Sequence, residues 1–227
     1  MVDVPSLRLS TPLIAEELAE LEGRSGGVIN RPAGTVLIGE DETIDNHALL
    51  IRKGVVKVVA GKPRQIVYLR GAGQIVGEMA AIRQKPRSAS VIALTDIQAL
   101  YVPGTRWIEF LVDHPRVALA QIFALDERLA EATRRSVDSF LASERKLAKV
   151  LLELDTMGLG ASSADGVTFR FSQKDLADIA GISIESAKDT ISLLKARGIV
   201  QTGRAEIRVR DLAAVGEIAR GDATASL

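Results

Sequence analysis

Between Pro115 and Gly158 the chain contains neither proline nor glycine. The two residue types that most often end a helix are missing over a stretch far longer than the three or four turns of an average one. Ala118, Ile122, Leu125, Leu129, Ala132 and Ser136 recur there at spacings of four, three, four, three and four. That is a heptad-like seam. Leu119 and Phe123 lie off the seam and are expected to pack back on the preceding domain. An apolar stripe on each of two faces needs two partners. The expectation is therefore a two-helix seam between copies of the chain, with a helix buried inside one chain as the alternative. A break near Ala142 and Ser143 separates this helix from the next, with a hinge at residues 140–143.

Upstream the period changes. From Val28 to Val102, "GTVLIG", "HALLIRKGVVKVVA", "RQIVYLRGAG" and "ASVIALTDIQALYVP" are short segments rich in Val, Ile and Leu. Gly, Pro, Asp and Asn clusters separate them, as in a barrel, jelly roll or plain sandwich. Leu13, Ile14, Leu18 and Leu21 make one face of a short preceding helix that "GRSGG" ends. "RWIEFLVDHP" is a further helix stopped by Pro115.

The last third reads as helix, turn, helix. Ser172 with Asp175 forms a capping box, and Leu176, Ile179 and Ala180 make the first helix's inner face. Gly181 supplies the turn, and Ser183 caps a second helix whose Ala187, Ile191 and Leu194 face inward. "IVQTGRAEIRVR" reads as a hairpin turning at Thr202-Gly203-Arg204, which makes a winged helix. "DLAAVGEIA" closes the domain, and "RGDATASL" is expected to be loose.

The fold class is thus α+β, in three parts. Residues 1–114 hold the barrel or jelly roll, 115–142 the long dimerisation helix and hinge, and 143–227 the winged helix-turn-helix.

"VGEMAAIRQKPRSASV", residues 76–91, sets Glu78 and Arg87 among apolar neighbours. Buried charges need partners, either each other or a ligand. "GEMAAI" followed by "PRSASV" resembles the phosphate-binding cassette of cyclic-nucleotide-binding domains. "PAGTVLI" and "IRKGVVKVV" resemble the strands before it. With the long helix and winged helix in order, the chain resembles the bacterial cyclic-AMP receptor protein family, the Crp/Fnr regulators, over residues 28–219.

The resemblance implies a role for each cassette residue. A short helix after Gly77 points backbone N–H groups near Met79 and Ala80 at a phosphate. Arg87 clamps the phosphate, Ser88 offers it a hydroxyl, Ala89 leaves room, and Glu78 accepts from a ribose hydroxyl. Cyclic AMP is the expected effector, with no other cofactor. The adenine-contacting hydroxyls of the cyclic-AMP receptor fall at Glu131 and Ala132 here. Thr133 serves only after a one-residue shift, and Arg134 is a further candidate for base or phosphate.

For DNA, the second helix presents Ile184, Glu185, Lys188 and Asp189 to base edges, with Ser183 and Ser186 near phosphates. Ser172, Gln173, Lys174 and Arg204 are backbone candidates. Ile184 and Asp189 stand where the receptor proteins commonly carry arginines, so a different operator is expected. The implied partners are double-stranded DNA, a second copy and RNA polymerase.

Composition narrows the alternatives. The formal net charge is zero, and residues 143–227 carry twelve basic and twelve acidic side chains. A DNA-binding head normally has a basic excess, so a winged helix used for protein contact stays open, as does a regulator with another effector or none. The absence of cysteine excludes disulfides, thiolate metal sites and cysteine-ligated clusters. His47, in an expected turn, and His114, before Pro115, are expected at the surface or in caps rather than as haem ligands. There is no nucleophile elbow, Walker loop, HExxH or paired-acid motif, so an enzyme is not expected. No secretory leader or membrane span is read, which gives a cytoplasmic expectation.

Overall fold

Residue alternation along the glycine-punctuated segments builds two sheets that share one buried layer. The computed structural model describes residues 11–43, 46–61, 65–138 and 141–225. They fall into two units, Met1–Thr133 and Arg134–Leu227.

The first unit begins with α1 (Ala15–Arg24) and six strands: β1 (Val28–Arg31), β2 (Val36–Ile38), β3 (His47–Lys53), β4 (Val56–Ala60), β5 (Gln65–Arg70) and β6 (Ile75–Val76). Then come α2 (Glu78–Arg83), β7 (Ser90–Ala93), β8 (Ile97–Pro103), α3 (Gly104–Asp113) and α4 (Pro115–Asp138). The two four-stranded sheets, ordered β1-β8-β3-β6 and β2-β7-β4-β5, are antiparallel throughout. This is the jelly-roll arrangement.

Strand β3 shows why the pattern works. Successive side chains point to opposite faces, and both faces of β3 are buried. Leu49 and Ile51 pack with Val56, Val76, Val91 and Ile97 in one cluster. Ala48 and Leu50 pack with Leu21 of α1, Trp107 and Phe110 of α3 and Val117 of α4 in the other. The Phe110 ring stacks on His114 at 4.2 Å between centroids, and the Arg24 guanidinium lies 5.6 Å from its centre. His114 caps α3 between the Phe110 carbonyl and the Glu20 carboxylate.

Pro115 both closes α3 and opens α4, because its fixed φ and missing N–H suit a first helical turn. Leu119 and Phe123 do not pack back on the jelly roll: they are 44 % and 39 % exposed. Val117, Ala120 and Gln121 are buried in their place. Within the seam Ile122 and Leu129 are 63 % and 66 % exposed, Ala118, Leu125 and Ala132 are half-buried, and Ser136, in the second unit, is exposed.

The second unit contains α5 (Ser143–Thr156), β9 (Gly160–Ser163), β10 (Gly166–Phe169), α6 (Gln173–Ala180) and α7 (Ile184–Ala196). It continues with β11 (Val200–Gly203), β12 (Glu206–Val209) and α8 (Leu212–Arg220). The expected helix break is present, since α4 ends at Asp138 and α5 starts at Ser143; Phe140 of the expected hinge lies outside the described residues. Ser172 accepts from Asp175 N at 3.1 Å while Asp175 accepts from Ser172 N at 3.0 Å, which completes the capping box. Gly181, at φ 62, turns the chain into α7.

Three expectations are corrected in this unit. Ala177 joins Leu176 and Ile179 in the buried face of α6, and Ala180 is only half-buried. The wing turns at Arg204 and Ala205, because Gly203 and Glu206 are paired across it. The terminal stretch is tied down as far as Ala225, which is buried and donates its N–H to Glu144 at 2.6 Å, while Arg197 donates to the Thr224 carbonyl. The hairpin of β9 and β10, unread in the sequence because "GASSADGV" is small and polar, joins the wing in one sheet ordered β11-β12-β10-β9.

Phe110→Ala removes a fully buried ring shared by α1, α3 and α4. It is expected to cost about 3–5 kcal/mol, read as a lowered urea midpoint for the jelly-roll transition.

Candidate functional site

A cavity of about 280 Å³ opens in the first unit. Its apolar wall comes from Ile38 of β2, Val58 and Ala60 of β4, Val67 of β5, Val76 of β6 and Val91 of β7. One end is closed by Gly77, Glu78, Met79 and Ala80 at the start of α2, and by Arg87, Ser88 and Ala89 just before β7. Every cassette residue singled out in the sequence therefore lines one cavity.

Local geometry explains the convergence. Gly77 has φ 81, and a Cβ there would meet Ile38 Cδ1 at 2.6 Å and the His47 carbonyl at 2.9 Å. Only glycine permits that turn from β6 into α2. The first N–H groups of α2 have no intrahelical acceptor. The Arg87 backbone is pinned on both sides, donating to Glu42 O at 3.1 Å and accepting from Asp41 N at 2.9 Å. Its side chain, on a residue 3 % exposed, donates to the Gly77 carbonyl at 2.6 Å and lies 3.3 Å from His47 Nδ1.

Glu78 and Arg87 are not each other's partners. Glu78, 3 % exposed, is paired with Arg128 of α4 at 2.5 Å. Arg128 also donates to the Ile75 carbonyl at 2.8 Å. The sequence reading missed Arg128, which lies fifty residues away. It also missed Arg70 and Tyr68 of β5, which line the cavity, and the pairing of Arg70 Nη1 with Glu131 of α4 at 3.1 Å. Burial lowers the pKa of Arg70, as does the nearby Arg128 charge, against the opposing pull of Glu131.

Other expectations are redirected. His47 is not in a surface turn: it opens β3, is buried, and stacks on Tyr101 at 4.7 Å. Thr133 is exposed, donates its hydroxyl to the Leu129 carbonyl at 2.9 Å, and does not line the cavity. Arg134 belongs to the second unit and is exposed.

In the second unit, α7 offers Glu185, Lys188 and Asp189 to solvent, with Ile184 half-buried at its first turn. Ser183 caps the helix by accepting from Ser186 N at 3.0 Å, and its hydroxyl donates to Ser186 Oγ at 3.0 Å. Gln173 is half-buried at the start of α6, and Lys174 is exposed but paired with Asp178 at 3.0 Å. Arg204 is exposed at the wing tip.

Comparison with known proteins matches these two sites to two family models: a cyclic nucleotide-binding domain at residues 28–114 and a Crp-like helix-turn-helix domain at residues 145–218. The cyclic AMP receptor protein of Thermus thermophilus is 30 % identical over 177 residues, which span 76 % of this chain and 79 % of that protein. The chain belongs to the Crp/Fnr family.

It is a transcriptional regulator of that family, with a cyclic-nucleotide-binding domain and a helix-turn-helix DNA-binding domain. The CRP-like cAMP-activated global transcriptional regulator of Mycobacterium tuberculosis is 22 % identical over 81 % of this chain and 84 % of its own. Among solved structures, the c-di-GMP-responsive global regulator CLP of Xanthomonas campestris shares the fold. Its TM-score is 0.77 at 21 % identity, over 87 % of this chain and all of that one. No helix among the described residues is long and apolar enough to cross a membrane.

Removing Arg128 strands a buried carboxylate, which costs more than the ion pair itself contributes. Arg128→Ala is expected to lose about 2–3 kcal/mol in urea unfolding, less than a fully buried pair because Arg128 is partly exposed. Adding Glu78→Gln to that variant is expected to restore at least about half of the loss.

Proposed function

We propose that this protein is a dimeric, cytoplasmic transcription factor whose DNA binding is switched by a 3′,5′-cyclic nucleotide in the jelly-roll cavity. The observation that carries the reading is Arg87, buried and held by its own backbone beside the open N–H groups of α2. Glu78 faces the same cavity and would accept from the ribose. Three guanidinium groups (Arg70, Arg87 and Arg128) stand against two carboxylates, Glu78 and Glu131. Two relatives are named for cyclic AMP, so that nucleotide is the first to test. The protein acts by binding and not by catalysis.

Ligand reaching Glu78 competes with Arg128 and thereby acts on α4. Two copies of α4 would cover Ile122 and Leu129 and set two α7 helices one DNA turn apart, ~34–36 Å. Glu185 would accept from a cytosine amino group, and Ile184 would meet a thymine methyl. Asp189 and the balanced charge of the head favour an operator with few guanine–arginine contacts and a shallow salt dependence. RNA polymerase is the further partner of such a regulator. A scaffold that uses the winged helix for protein contact would show no gel shift on the DNA upstream of its own gene.

Calorimetry on the full-length protein is expected to show binding of a cyclic nucleotide, and Arg87→Ala is expected to abolish it while the jelly-roll melting transition persists. Unchanged affinity in Arg87→Ala would refute the clamp. If the ligand drives the switch, its affinity rises about 5–150-fold in the presence of operator DNA; equal affinities would sink the coupling.

A second expectation concerns assembly. The double variant Ile122→Glu/Leu129→Glu is expected to sediment as a monomer while the parent sediments as a dimer.

A further inference from the structure

The cyclic-nucleotide reading accounts for the phosphate end of the cavity and leaves one polar atom at the other end unexplained. Arg70 lines the cavity at the end of β5, and its side chain is only 7 % exposed. Its Nη1 is committed, donating to the Leu69 carbonyl at 2.7 Å and to Glu131 at 3.1 Å. The guanidinium lies 4.6 Å from the centre of the Tyr68 ring, which lines the cavity beside it. Nη2 is buried and has no acceptor among the described residues. A buried, charged donor without an acceptor is among the more costly arrangements in a protein. An acceptor brought by the ligand removes that cost.

Sheet order says which part of the ligand this is. Strands β5 and β7 lie on either side of β4, and Arg87 immediately precedes β7. Arg70 is level with Val56 of β4, whereas the chain reaches Arg87 beyond Ser90, which is level with Val59, so the two guanidinium side chains start from opposite sides of β4 and from different levels along it. Val58 and Ala60 of β4 form an apolar surface between them. A ribose followed by a flat base fills such a gap, so Arg70 meets the base edge.

The chemistry of Nη2 then selects the base. A guanidinium only donates. Guanine presents N7 and O6 side by side, both acceptors, whereas adenine sets the N6 amino donor beside N7. Against guanine, Nη2 finds an acceptor at O6 as well as at N7. Against adenine, one of its hydrogens faces another donor. The positions implied to carry adenine-contacting hydroxyls are Glu131 and Ala132 here, and Thr133 is turned to the Leu129 carbonyl.

We propose that Arg70, oriented by Glu131, is the base-reading residue of this cavity, and that it selects guanine: cyclic GMP in preference to cyclic AMP. The proposal rests on the cyclic-nucleotide reading of the cavity and assigns its specificity. Arg70 is the contacting residue, and Glu131 is a positioning residue.

The test is calorimetry on the full-length protein with cyclic GMP, cyclic IMP and cyclic AMP, repeated on Arg70→Met. Cyclic IMP keeps O6 and N7 and lacks the 2-amino group. The expected order is cyclic GMP close to cyclic IMP, both roughly tenfold or more tighter than cyclic AMP. Arg70→Met is expected to bring all three within about threefold of one another, chiefly by weakening the first two. Should that variant fail to fold, the order of the three ligands on the parent protein decides alone. Cyclic AMP binding as tightly as cyclic GMP, cyclic IMP falling to the level of cyclic AMP, or a preference that survives in Arg70→Met each overturns the assignment. Tight binding of cyclic AMP alone leaves the broader reading standing, whereas no binding of any of the three removes both.

Discussion

A carboxylate at 3 % exposure sets the terms for the first unit. Glu78 sits at the opening of a six-residue helix, packed among Val76, Ala81 and the wall of a cavity. A buried charge without a partner is costly. Arg128 supplies the partner, and it comes from α4 rather than from the sheets. The ion pair therefore does more than neutralise a charge. It fastens the cassette to the long helix at one point, and any ligand group that engages Glu78 acts on that fastening directly.

The same logic extends along the cavity wall. Arg70 stands to Glu131 as Glu78 stands to Arg128: a cavity residue held by a residue of α4, three positions further along. Residues 128 and 131 face the same side of a helix because a separation of three returns close to one turn. The cavity thus has two cross-links to one helix face, one of each polarity. Arg87 is different. Its fixing comes from its own backbone, through Asp41 and Glu42, and from the Gly77 carbonyl. Those contacts of Arg87, and the one to His47, all lie within the jelly roll, while Glu78 and Arg70 are each tied to α4.

How much of this was legible beforehand follows from range. Local signals were sound: the capping box at Ser172, the cap at Ser183, the helix start after Gly77, the turn at Gly181, and the strands around "HALLIRK". Each depends on residues a few positions apart. The cassette from Gly77 to Ala89 was also legible, because its residues are contiguous and converge on one cavity. The partners of its charges were not. Glu78 and Arg128 are fifty positions apart, and Arg70 and Glu131 sixty-one, with no pattern linking them in a single sequence. His47 was misplaced for the same reason. "DNHAL" looks like a turn, and only the pairing of β3 with β8 and the stacking on Tyr101 put the ring inside.

The stripes of α4 show the converse limit. Periodicity placed apolar residues on two faces and assigned Leu119 and Phe123 to the chain's own core. In the described structure Val117, Ala120 and Gln121 are buried instead. Leu119, Ile122, Phe123 and Leu129 are left exposed together. Scattered apolar residues on a surface are ordinary, but four large ones along one helix form the kind of stripe that a second helix covers. The two cavity cross-links are carried by this same helix, so a change of partner at Glu78 or Arg70 bears on the element that dimerisation would use. That coincidence on one helix, rather than any single contact, is the physical link between the cavity and the apolar stripe.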